Sequence, residues 1–111
     1  MNQRIVDHFN HSAQTALASG ESLADDILRA SEAMLDTLDN GGKLLLCGNG
    51  GSATDAMHFS AELLVRFQKE RKALPAVALV SDTATLTATG NDYAFDQIFS
   101  RQIEALATSG D

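Results

Sequence analysis

The residues able to do chemistry cluster in one short stretch, CGNGGSATDAMHFSAEL, residues 47–63. Glycines at 48, 50 and 51 free the backbone to adopt positive φ and to approach a ligand without Cβ clashes. A helix starting just after them would aim its unpaired N–H groups and the positive end of its dipole at the loop, which makes an anion site. Ser52 can cap that helix or donate to a phosphate oxygen, and Asn49 offers an amide N–H or a carbonyl. A tight strand–helix turn with Ser52 as an ordinary N-cap is the plainer reading of the same residues. Three glycines in four positions exceed what such a turn needs, which favours a ligand. GNGGSA also matches the dinucleotide pattern G-x-G-x-x-A, with Asp82 as the acid for a ribose, whereas the Walker pattern fails because no Gly-Lys-Ser/Thr follows.

Downstream, Asp55, His58 and Glu62 are spaced three and then four apart, so they share one stripe of a helix. A carboxylate and an imidazole one turn apart can share a metal ion or divide proton transfers between them. As a mere surface ion pair they would be worth only about 0.3–0.5 kcal/mol. A third stretch, GND at 90–92, reads locally as a turn. In a parallel sheet, however, loops at the strand ends converge on one crevice, where Asn91 and Asp92 would face sugar hydroxyls bound over GNGGS. His8 and His11 have no acidic partner cluster and read as surface or interface residues.

These residues need elements to position them. Residues 3 to about 18 read as an amphipathic helix, with Ile5, Phe9, Ala13, Ala16 and Leu17 on its apolar face. Gly20 interrupts, and a second helix opens at Glu21 or Ser22, carries Leu23, Ile27, Ala30, Met34 and Leu38, and ends at the NGG of 40–42. KLLLC, 43–47, is a short apolar run that fits a strand buried on both faces, which would make Cys47 a buried small hydrophobe. A helix from about Ser52 to Gln68 follows, with Ala56, Phe59, Leu63 and Leu64 inward. ALPAVALV, 73–80, gives a second strand. A short helix over 81–91 has Ser81 or Asp82 as its cap and Gly90 or Asn91 at its close. An amphipathic helix over 92–107 and a TSGD turn complete the chain.

Alternating buried strands and helices predict an α/β fold, a three-layer sandwich around a parallel sheet. Two strands are fewer than the roughly four to six of a stable sheet, so residues 1–111 read as the N-terminal part of a single domain. The chain is 44% hydrophobic, too apolar for disorder. Its net charge of −7, from 15 acids and 8 bases, repels phosphate backbones and argues against nucleic acid as a partner. The one basic cluster, RFQKERK at 66–72, is interrupted by Glu70 and reads as a solvated helix end. No segment approaches the roughly 20 apolar residues of a membrane span. A single cysteine and the absence of an apolar signal core point to the cytoplasm.

GKLLLCGNGGSATDAMHFSAELLVRF, followed by LPAVALVSDTATLTATGNDYAFDQIFSRQIEAL, resembles the sugar isomerase (SIS) domain and, within it, the phosphoheptose isomerase family. The resemblance implies a flavodoxin-like SIS fold assembled as a homotetramer, with active sites at subunit interfaces. It implies substrate contacts from Asn49, Gly50, Gly51, Ser52, Glu62, Asn91 and Asp92, and zinc held by His58 and Glu62. Glu62 and His58 would also be the catalytic residues, with Glu62 moving the proton. The implied reaction converts sedoheptulose 7-phosphate to D-glycero-D-manno-heptose 7-phosphate through an enediol, in heptose synthesis for bacterial lipopolysaccharide. Members of that family carry a second Ser/Thr-rich phosphate loop and a late glutamine and histidine, none of which falls within residues 1–111. The alternative is a non-catalytic SIS-fold protein that associates with a replication initiator; that group lacks an acid equivalent to Glu62.

Overall fold

The computed structural model describes residues 1–111, which divide into two compact units, Met1–Leu35 and Asp36–Asp111. The element order is α1 (Asn2–Asp39), β1 (Leu44–Leu46), α2 (Gly51–Leu64), β2 (Ala76–Ala78), α3 (Thr83–Asp92), a 3₁₀ turn (Phe95–Gln97) and α4 (Ser100–Leu106). β1 and β2 run parallel, with Leu44 opposite Ala76, Leu45 opposite Val77 and Leu46 opposite Ala78. The α/β class with a parallel sheet is as the alternation of elements predicts. No helix is long and apolar enough to cross a membrane.

One helix stands where two were expected. Gly20 costs a helix interior only about 1 kcal/mol relative to alanine, and no proline is there to break it. Ser22, a candidate cap, instead donates its hydroxyl to the Ala18 carbonyl one turn back, the bond that serine uses when it stays inside a helix. α1 buries none of its residues, and Phe9, Leu17 and Ile27 lie open. Its end is as the sequence predicts, with Gly41 at φ 83° and its N–H on the Leu38 carbonyl.

The strands are shorter than predicted and, Ala76 apart, half-buried rather than covered on both faces. Cys47 lies exposed, because β1 has already ended at Leu46. α2 packs on β1 and β2 through Ala56 and Ser60, while Phe59 and Leu64 point out, 43% and 47% exposed. Small residues on the inner face let the helix backbone approach the sheet closely. Leu79, just past β2, is the most deeply buried side chain, and Ala76 and Ile98 complete the small apolar core with Ala56. Gln102 ties this region together, donating through Nε2 to the carbonyls of Leu79 and Ile98, both at 2.8 Å.

The amphipathic run over 92–107 is not one helix. Asp92 belongs to α3, Ala94 is extended, and a 3₁₀ turn intervenes before α4. At the other end of this unit, Asp111 folds back onto the start of β1. Its carboxylate accepts from the Lys43 N–H at 2.9 Å and from the Thr108 N–H at 2.7 Å, and it pairs with Lys43 Nζ at 2.5 Å. The Lys43 ammonium, the largest influence, and these N–H groups hold the Asp111 carboxyl well below the usual carboxylate range.

Candidate functional site

β1 delivers the chain into the glycine loop, and α2 begins at its far side. Each glycine answers a different demand. A Cβ on Gly48 would stand 2.6 Å from the Ser52 carbonyl oxygen, so Gly48 is there because the first turn of α2 folds back onto it. Gly50 is the N-cap at φ 58° and ψ −121°, a conformation that side chains oppose. Gly51 has neither constraint: its φ is not positive and nothing lies within 4 Å of where a Cβ would be. Its openness is unexplained by the turn and is what close approach of a ligand requires.

Ser52 is not the cap the sequence suggested. Its N–H turns back to the Asn49 carbonyl at 3.1 Å, and those of Ala53 and Thr54 go to the Gly50 carbonyl. The N–H groups of Gly50 and Gly51 have no acceptor within the chain. Unpaired donors at the start of a 14-residue helix, where the dipole is positive, are groups of the kind an anion attracts.

Gly48, Asn49, Gly50 and Ala53 form one wall of a cavity of about 460 Å³. The opposite wall is largely apolar and comes from α3 and the segment after it, including Leu86, Thr87, Gly90, Phe95 and Phe99. Reading the sequence missed this wall. Only the choice of aromatic rather than aliphatic residues at 95 and 99 hinted at it, and that choice looks the same in a core helix.

Asn91 and Asp92 do not line the cavity, although their neighbour Gly90 does. GND is the last turn of α3, not a loop: the helix runs to Asp92 and Tyr93 follows as its cap. Helical spacing swings Asn91 and Asp92 away from Gly90, and the Asn91 amide donates to the Asp92 carboxylate at 2.8 Å in the open. Asp82 is also engaged. It caps α3, accepting from the Thr85 hydroxyl at 2.6 Å and the Thr85 N–H at 3.1 Å. Those bonds, the hydroxyl first, lower its pKa. A carboxylate so occupied is poorly placed to take a ribose.

Asp55, His58 and Glu62 line one hollow of about 290 Å³ that Phe59 and Phe67 share, and of the three only His58 and Glu62 touch. His58 Nε2 and Glu62 Oε1 are 2.9 Å apart, with His58 76% and Glu62 35% exposed. The pair does not face the cavity. At about 100° per residue, Glu62 lies about 180° around α2 from Ala53, and His58 about 140°. The inner face belongs to Ala56 and Ser60, so the acid–imidazole stripe falls on the outer one. One helix thus presents unpaired N–H donors at its start and an imidazole–carboxylate contact further along. Within this chain they open onto separate surfaces.

An imidazole nitrogen and a carboxylate oxygen are zinc-type donors, and two such ligands on a tetrahedral ion stand about 3.3 Å apart given bonds of about 2.0 Å. The pair fits as two ligands. No group of three or more potential ligands converges anywhere in the chain.

Comparison with known proteins gives this arrangement its context. The family model described as SIS domain matches residues 8–111. Over all 111 residues the chain is 56% identical to the phosphoheptose isomerase of Shewanella loihica and 50% identical to that of Thiobacillus denitrificans. It spans 56% of the length of each of those proteins. Among solved structures, the phosphoheptose isomerase of Neisseria gonorrhoeae superposes with a TM-score of 0.91 at 45% identity, covering 99% of this chain and 56% of that one. That of Francisella tularensis gives 0.88 at 46% identity, covering 94% and 55%. A match over nearly the whole chain, with the glycine loop on a helix start and the parallel strands in place, shows that the chain belongs to the SIS domain family.

Proposed function

We propose that this chain is part of a ketose–aldose isomerase that converts sedoheptulose 7-phosphate to D-glycero-D-manno-heptose 7-phosphate through an enediol. The observation that carries the reading is the 50–56% identity, over every one of its 111 residues, to proteins named phosphoheptose isomerase. The chemistry of the loop and of the acid–imidazole pair supports it. The free N–H groups of Gly50 and Gly51 suit a phosphate or sugar oxygen, with Asn49 and Ser52 beside them. Holding the far end of a sugar phosphate restricts the pose at its reacting end. Glu62 is the proton carrier between the carbonyl carbon and its neighbour, and the His58 imidazole at 2.9 Å orients it.

Because the pair and the loop open onto different faces of α2, we assign the complete site to an interface between copies in a homotetramer. There the outer face of one α2 meets groups that its own chain does not present. Asn91 and Asp92, exposed at the end of α3, are substrate contacts in that assembly rather than in one chain. Zinc fits the reading as the partner of His58 and Glu62. When bound, it would supply a positive charge to steady an oxyanion. Two further ligands would have to come from beyond these two side chains. A cytoplasmic setting accords with the single unpaired cysteine.

Glu62→Gln tests the reading directly. The substitution keeps size and hydrogen bonding to His58 but removes the base. Turnover of sedoheptulose 7-phosphate, followed by NMR of the sugar, is expected to fall by about 10²–10⁴-fold with the circular dichroism spectrum unchanged. Undiminished turnover would remove Glu62 from the mechanism.

A further inference from the structure

Glu62 sits in the last turn of α2, two residues before the helix ends at Leu64. Final turns fray because their carbonyls lack intrahelical partners. The contact with His58 spans four residues and survives only while that turn stays helical. Something outside the helix holds it. Arg71 Nη2 donates to the Glu62 carbonyl at 2.6 Å, and Nη1 donates to the Leu63 carbonyl at 2.8 Å and to the Lys72 carbonyl at 2.9 Å. The Leu74 N–H adds a bond to the Leu63 carbonyl at 3.0 Å. A planar guanidinium can span two adjacent carbonyls, which an ammonium does less well. Its charge also complements the negative end of the helix dipole. Arg71 is half-buried while Lys69, Glu70 and Lys72 around it are exposed, so within that basic run it is the residue committed inward.

We propose that Arg71 is a positioning residue for Glu62: by occupying the Glu62 and Leu63 carbonyls it keeps the end of α2 helical and the Glu62 carboxylate in register with His58. It also accounts for α2 stopping at Leu64 rather than near Gln68, since the chain must turn back for Arg71 to reach those carbonyls. The proposal builds on the role of Glu62 given above, but its geometry requires no substrate.

The test compares Arg71→Gln, Arg71→Lys and Glu62→Gln by amide hydrogen exchange and by the His58 ring resonances at one fixed pH. In Arg71→Gln, the amides of Leu64 and Val65 are expected to exchange at least about tenfold faster, with those of Ala56 and Ser60 unchanged. The His58 resonances are expected to move toward their positions in Glu62→Gln. Arg71→Lys, which keeps the charge without the fork, is expected to fall between. Unmoved His58 resonances in the folded Arg71→Gln protein would overturn the proposal, as would loss of protection spread evenly along the chain. Should Arg71→Gln fail to fold, Arg71→Lys decides by the same two readouts, wild-type resonances and exchange counting against. Turnover separates this idea from the one beneath it. A fall in kcat at unchanged KM supports Arg71, and a wild-type protein inert toward sedoheptulose 7-phosphate defeats the isomerase reading while leaving the resonance test to judge Arg71.

Discussion

Gly48 and Gly51 are three residues apart in one loop, and the structure assigns them opposite consequences on substitution by alanine. A Cβ on Gly48 would lie 2.6 Å from the Ser52 carbonyl oxygen, and 2.7 Å from the Ser52 carbonyl carbon and Cβ. These are mostly backbone atoms in the first turn of α2, so relief means moving the helix start by most of an ångström. Overpacking of this kind costs about 1–3 kcal/mol. Stiffening the unfolded chain offsets about 0.4–1 kcal/mol of that, leaving a net loss of roughly 1–2 kcal/mol. For a chain of this size the midpoint should drop by roughly 5–10 °C. At Gly51 the same methyl meets nothing within 4 Å, and alanine suits a helix better than glycine, so stability should hold or rise by up to about 1 kcal/mol. The methyl would, however, occupy open space at one of the two residues whose N–H groups are free, where the proposed ligand approaches. Thermal unfolding measures the first effect. Calorimetric titration with inorganic phosphate and with sedoheptulose 7-phosphate measures the second, expected to be at least about tenfold weaker in Gly51→Ala, or about 1.4 kcal/mol. Wild-type binding by Gly51→Ala would refute the argument that its openness exists for a ligand. A destabilisation equal to that of Gly48→Ala would refute the division of the loop into structural and functional glycines.

Leu79, only 1% exposed, should cost about 2–5 kcal/mol when cut to alanine, read by urea unfolding; a loss below about 1 kcal/mol would mean the site collapses freely. Asp111→Asn should be destabilised at neutral pH, because Lys43 and the Thr108 and Lys43 N–H groups favour the charged carboxylate. Since the folded pKa lies below the ordinary 3.8, that contribution is present above about pH 4 and is lost as pH falls through the folded value. The gap between the two proteins should therefore narrow with acidification below pH 4, and a gap constant down to pH 2 would disprove the linkage.

The parallel pair, the glycine loop and the helix after it were legible because each rests on a local rule. Apolar runs bounded by glycine make strands, and glycines before a periodic stretch make a loop opening a helix. The stripe of Asp55, His58 and Glu62 followed from spacing alone. What spacing could not supply was the direction of the stripe relative to the loop. That depends on which face the sheet takes, and the sheet takes the small residues Ala56 and Ser60 rather than Phe59 and Leu64. Gly20 misled because a glycine signals a helix end only when the flanking chain can satisfy the freed groups better elsewhere, and here Ser22 remains bonded within the helix. GND misled in the opposite sense, three residues with high turn preference being held in a helix that Asp82 had already capped. The early end of α2 was hidden because its cause, Arg71, lies seven residues past the last helical one.

α2 shows why these features belong together. The donors of Gly50 and Gly51 at its N-terminal end carry no side-chain cap, a cost to the helix of the kind that capping normally recovers, and on the proposed function that end is left bare for an anion. Its inner face must be small to lie against two short strands, which leaves the bulky and charged residues to the outer face. A helix uncapped at one end and anchored by small side chains gains little stability of its own, yet it must hold Glu62 to within a hydrogen bond of His58. The compensation falls at the other end, where Arg71 satisfies the carbonyls that the helix cannot. On the proposed function, the bare N-terminus and the guanidinium-bound C-terminus are therefore two sides of one requirement, a helix open to an anion and still rigid where it carries the carboxylate.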